Sequence, residues 1–167
     1  MYELAILTIF PAAVILAAFT DLFTMTIPNR ISLVLVAAFL ALAPFAGITL
    51  QQFGWHVLAG LIVLAATFGL FVAGIIGGGD AKLVSAVALW VGMEQLLPYL
   101  LIASLFGGAL TLGLMSFRKM PLPVTLNSLG WLSRLHNPKG KIPYGVALAA
   151  GALWIYPETT WFTGLAG

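Results

Sequence analysis

The sequence predicts an all-α, polytopic membrane protein with six transmembrane helices and its N-terminus outside. Three observations carry that reading. Hydrophobic residues make up 62% of the 167-residue chain and charged residues only 7%, whereas a soluble domain carries about 25% charged residues. The apolar residues fall into runs near the ~17–25 residues needed to cross a bilayer. The few ionisable residues sort by sign between alternate loops. A membrane barrel is excluded, because its strands alternate in polarity and these runs are apolar on every face.

The first helix is predicted over residues 4–21. Its first charge is Glu3; a secretory signal would open with positive charge, so this run reads as a retained membrane helix. The second helix, 31–46, is short for a span, and the third, 55–76, is comfortable. The fourth and fifth, 81–97 and 98–117, are divided by a tight turn predicted at Glu94–Pro98. The sixth, 143–162, opens on Pro143, which suits the start of a helix. The whole chain, 1–167, reads as one membrane-embedded domain without a strong internal repeat. Its one long polar connection is 118–142. There Val124, Leu126, Leu129, Leu132 and Leu135 recur at near-helical spacing beside Arg134 and His136, which favours an interfacial amphipathic helix. A loop with hydrophobic anchors is the alternative.

Orientation follows from the basic residues, which concentrate on cytoplasmic loops. With the N-terminus outside, Arg30, Lys82, Arg118, Lys119, Arg134, Lys139 and Lys141 all fall on the cytoplasmic side. Glu3, Glu94 and Glu158 fall on the outer side. Asp21 and Asp80 break the partition, because helices 1 and 4 bring one carboxylate each to the same cytoplasmic depth. The tryptophans Trp55, Trp90, Trp131, Trp154 and Trp161 suit interfacial belts.

The net charge of +2 is too small to point to nucleic acid. The absence of cysteine excludes disulfides, thiolate catalysis and cysteine-ligated zinc. His56 and His136 are isolated on opposite sides, so no metal site is expected.

The two aspartates are the candidate chemistry. Each has a plain structural reading. Asp80 follows three glycines and precedes a good helix start, so it can serve as an N-cap. Asp21 can pair with Arg30 or Lys82. Together they suit a dyad sharing one proton, since two like charges held close do not both ionise easily. One member then acts as general base on water while its protonated partner polarises a carbonyl. Gly77, Gly78 and Gly79 allow close approach of another backbone; a flexible turn is the competing account.

These residues resemble a known family. "GGGDAKL" at 77–83 is similar to the G-x-G-D motif of membrane-embedded aspartyl proteases. "TDLFTMTIPNRIS" at 20–32 resembles the first-aspartate motif of type IV prepilin peptidases, and "KIPYG" at 141–145 resembles the proline motif opening their last helix. The resemblance implies that Asp21 and Asp80 are catalytic, with Gly77 and Gly79 as motif glycines. It also implies cleavage of a prepilin or pseudopilin after a glycine, at the cytoplasmic face of the bacterial inner membrane, with no cofactor. The short, cysteine-free chain looks like the protease-only form of Flp/Tad pili, which implies cleavage without N-methylation.

Among supporting residues, Lys82 either tunes the dyad or snorkels to the interface. Pro28 and Asn29 read as a bend and helix start. Pro143 and Tyr144 line a substrate path or simply start the last helix. Two other functions stay open: a proton-coupled membrane transporter, with the aspartates as relay, and a non-enzymatic pilus assembly factor.

Overall fold

A computed structural model describes residues 2–163; Met1 and residues 164–167, the ends of the predicted 1–167 domain, lie outside the described residues. Among the described residues all regular structure is helical. The elements are α1 (Tyr2–Thr24), α2 (Asn29–Leu42), a 3-10 turn at Ala43–Phe45, α3 (Leu50–Val72), α4 (Gly78–Phe117), α5 (Val124–Asn127), α6 (Gly130–His136), α7 (Tyr144–Ile155), a 3-10 turn at Tyr156–Glu158 and α8 (Thr160–Thr163). Three stretches are long and apolar enough to cross a membrane: Glu3–Thr24, Leu50–Val72 and Gly78–Phe117. Their outward faces carry exposed Leu16, Phe19, Leu61, Phe68, Leu105 and Leu112. Such a surface suits lipid rather than water.

α4 has 40 residues and would be ~60 Å long if straight, twice the ~30 Å hydrocarbon core. It folds back instead. Gly92 adopts φ 71, ψ 177, a region open essentially to glycine alone. Before this break, Gly79 abuts Ile27 and the Trp90 indole N–H donates to the Leu35 carbonyl at 2.8 Å. After it, Ala103 lies against Gly151 and Gly107 against Tyr144, so the second arm returns antiparallel to α7. The two ends of α4 meet again near Lys141. Asp80 feels its charge, and Arg118 bonds its carbonyl at 2.9 Å.

The reversal thus lies at Gly92, upstream of the predicted Glu94–Pro98 turn. Pro98 is carried inside the second arm, in its second turn after the Gly92 break. His56 of α3 completes the reversal. Its ring occupies the space beside Gly92, where a Cβ would meet it at 2.7 Å. Its Nδ1 lies 2.8 Å from the Leu89 carbonyl, which requires the proton on Nδ1.

The core at this end is aromatic. Trp90 packs on Trp161 at 4.6 Å and on Phe10 at 5.1 Å, with Phe39 against Trp161 at 5.4 Å. Trp90 and Trp161 are fully buried, which corrects their predicted place in an interfacial belt. Trp55 and Trp154 are exposed. Composition cannot separate the two cases, because burial of a tryptophan depends on neighbours distant in sequence: Trp90 finds a buried acceptor in the Leu35 carbonyl, whereas Trp161 is held by ring packing alone.

The predicted amphipathic segment 118–142 forms two short helices, α5 and α6, rather than one. The side chain of Val124 lies outside the described residues. Leu135 is buried, Trp131 meets Phe23 edge-on at 5.1 Å, and Arg134 donates to the Phe23 carbonyl. The segment is therefore fastened to the end of α1.

Gly92→Ala is expected to lower the melting temperature in detergent clearly. Holding an L-residue in this sparsely populated backbone region costs about 1–3 kcal/mol, and the buried His56 ring must also move. Gly47 also has positive φ, 67, but open space at its Cβ position, so Gly47→Ala is expected to cost less. Equal losses would refute the packing role given to His56.

Candidate active site

Asp21 lies in the last turn of α1, which runs one turn beyond its predicted end. Met25, with φ 57, stops the helix, and its N–H bonds the Asp21 carbonyl at 2.8 Å. The Asp21 side chain is only 6% exposed. Its Oδ2 accepts the backbone N–H of Gly145 at 2.7 Å. Gly145 is in the first turn of α7, behind Pro143 at the N-cap. The carboxylate of one helix thus caps another whose own cap residue has no side-chain oxygen. A negative group there also meets the positive end of the helix dipole.

Asp80 is held in a related way. Gly77, not Asp80, is the N-cap residue of α4; Asp80 is the third helical residue. Its carboxylate bonds back to the Gly77 backbone, the acid half of a capping box. Each aspartate therefore stands at a helix N-terminus, and Asp21 is among the charges acting directly on Asp80.

Ile27 is the piece that draws the three motifs together. A Cβ at Gly79 would lie 3.1 Å from the Ile27 Cβ, and one at Gly145 would lie 2.7 Å from the Ile27 Cδ1 and 2.9 Å from Asp21 Oδ2. Glycine at both positions lets α4 and α7 close on the Ile27 side chain. Gly77 is different: a Cβ there would meet Asp80 Oδ2 at 2.9 Å, so it leaves room for the carboxylate.

The other predicted residues divide. Lys82 does not point to the aspartates; its ammonium donates to Asn29 Oδ1 at 2.9 Å. Pro28 caps α2 in an extended conformation. Pro143 is fully buried. Tyr144 packs on Gly107 of the returning arm, where a Cβ would collide with the phenol ring.

Three residues beyond those predicted belong to the site. Lys141, not Lys82, is the lysine whose charge acts on Asp80. Gly145 holds Asp21. Arg118 donates to the carbonyls of Leu135 (2.8 Å), Gly140 (3.1 Å) and Lys141 (2.9 Å), so one guanidinium sets the approach to α7. Lys141 and Gly145 both lie in the "KIPYG" motif and were within reach of the sequence. Arg118 offered no signal beyond its charge. Among the described residues no three His, Asp or Glu side chains gather to hold a metal.

With this geometry in hand, the comparison with known proteins is specific. The profile of the Type IV leader peptidase family matches residues 8–112, a stretch containing both aspartates. The chain belongs to the type IV leader peptidase family. It is 36% identical over 133 residues to the "Prepilin leader peptidase/N-methyltransferase" of Bacillus subtilis (strain 168), covering 70% of this chain and 51% of that protein. The chain thus spans about half the length of this relative. No solved structure matches. As a leader peptidase family member with lipid-facing helices, the chain is a multi-pass membrane protein.

Gly145→Ala is expected to lower thermal stability by about 1–3 kcal/mol, the range for overpacking. Gly108→Ala is expected to raise it by up to about 1 kcal/mol, because Gly108 lies in the interior of the second arm of α4 with open space at its Cβ position. Thermal melts of both variants in one detergent check the contrast.

Proposed function

We propose that this chain is an intramembrane aspartic endopeptidase that removes the leader from Flp-like type IV prepilins through Asp21 and Asp80. The observation that carries the proposal is the convergence of two carboxylates, one per helix N-terminus, around Ile27. Family membership supports prepilin as the substrate class. A water held between the carboxylates is deprotonated by one and attacks the carbonyl carbon of the glycine that precedes the scissile bond. The protonated partner hydrogen-bonds the carbonyl oxygen, and the tetrahedral intermediate then expels the amine, which takes the proton. The reading as peptidase without N-methylation rests on a sequence lacking cysteine.

The proposed topology is six spans with the N-terminus outside. The two arms of α4 count separately, and α2 and α7 complete the set. The basic end then faces the cytoplasm, as the positive-inside tendency favours, and so does the dyad.

The deciding experiment is cleavage of a prepilin by purified protein in liposomes, with sequencing and intact mass of the product. Asp21→Asn and Asp80→Asn are each expected to reduce turnover by at least ~100-fold, the lower range for an acid–base group, with melting temperatures near wild type. The new N-terminus is expected after glycine and unmethylated. Full turnover by either variant would rule out the dyad.

Orientation is checked with single cysteines in this cysteine-free chain. Ser128→Cys is expected to be shielded from an impermeant thiol reagent applied to the outer face, and Gln51→Cys to be labelled. The opposite pattern inverts the topology.

A further inference from the structure

A cavity lies on the side of the molecule lined by α2 and α3. It is an open groove of about 470 Å³ between α2, α3 and the first arm of α4. Leu33, Val36, Val57, Leu61, Leu64 and Leu89 line most of it. At one end the lining becomes polar, with Asn29, Ser32, Lys82 and Ser85. No lining residue is acidic.

That polar end is under-used. Lys82 has three N–H donors, and the bond recorded for it goes to the neutral amide of Asn29. Its positive charge is therefore left without a compensating carboxylate in the groove. The Ser32 hydroxyl beside it is only 7% exposed and has no hydrogen-bond partner. A buried polar group without a partner is unusual and calls for an explanation.

We infer that this groove binds a phospholipid with an anionic headgroup, its phosphate at Lys82 and Asn29 and one acyl chain along Leu33, Val36, Leu61 and Leu64. Three features favour this occupant. The cation lies at the basic end of the molecule, where a headgroup region begins, and basic pockets between transmembrane helices take anionic headgroups. The apolar length runs away from it toward the membrane centre. The volume falls in the ~300–1,000 Å³ range of small-molecule sites. A spanning helix ~10 Å across and ~30 Å long needs several times that space, so the groove suits an acyl chain better than a substrate helix. Ordinary boundary lipid would require no cation and no polar end.

The inference is independent of peptidase activity. It is tested by native mass spectrometry of the full chain in detergent, titrated with phosphatidylglycerol and with phosphatidylcholine. Wild type is expected to retain phosphatidylglycerol about five-fold better, on the scale of one lysine near an anionic lipid. Lys82→Gln is expected to abolish the preference, and Lys119→Gln, off the groove, to keep it. Val36→Trp and Leu61→Trp, which fill the apolar length, are each expected to lower retention of both lipids. Equal retention by wild type, a preference that survives Lys82→Gln, or retention unaffected by both tryptophans overturns the site. So does crosslinking of a prepilin's hydrophobic segment from a photoreactive residue at position 61, with the lipid absent from the groove.

Discussion

A polypeptide in hydrocarbon has no water to bond its backbone, so every helix end inside the membrane needs a partner from elsewhere in the chain. Most of the distinctive contacts in this protein answer that requirement. The first turn of α7 is met by Asp21 and the cap of α4 by Asp80. The Leu89 carbonyl, just before the Gly92 break, is met by His56. The carbonyls leading into α7 are met by Arg118. Asp21, Asp80, His56 and Arg118 are all placed at such breaks or ends. The candidate site is the place where two such ends face one another.

This changes how the structural and chemical readings of the aspartates relate. Capping does not compete with the catalytic role proposed for them. Asp21 caps a helix other than its own, and Asp80 reaches back over its own first turn; both bonds fix the carboxylate orientation at one end of the molecule. A group fixed by such bonds is preorganised, and preorganised charge is what stabilises a reaction's developing charge most effectively.

Much of this was legible beforehand. Apolar run lengths gave the helices, and the sign partition of the loops placed both aspartates at one end, where the structure has them. The boundaries that failed did so for identifiable reasons. The reversal was expected at Glu94–Pro98 because proline and charge mark turns in sequence; Gly92 carried no such mark, and its role depends on His56, 36 positions away and invisible to a local pattern. Trp90 and Trp161 look like any interfacial tryptophan until a buried carbonyl partner is found for the former. Lys82 was the natural neighbour of Asp80 by sequence, but two residues along a helix is ~200° around it. The lysine that faces the dyad comes from a loop sixty residues later. Ile27 was passed over because an isoleucine carries no chemistry; its function is its shape.

The bond from Gly145 to Asp21 joins residues 124 positions apart. During synthesis at roughly 5–20 residues per second, Asp21 is made roughly 6–25 s before its partner. Until α7 enters the membrane, the first carboxylate lacks the group that holds it and the two-carboxylate arrangement is incomplete. The hold on Asp21 is thus the last of the described contacts at the candidate site to become available as the chain is made, since both aspartates precede α7 in sequence.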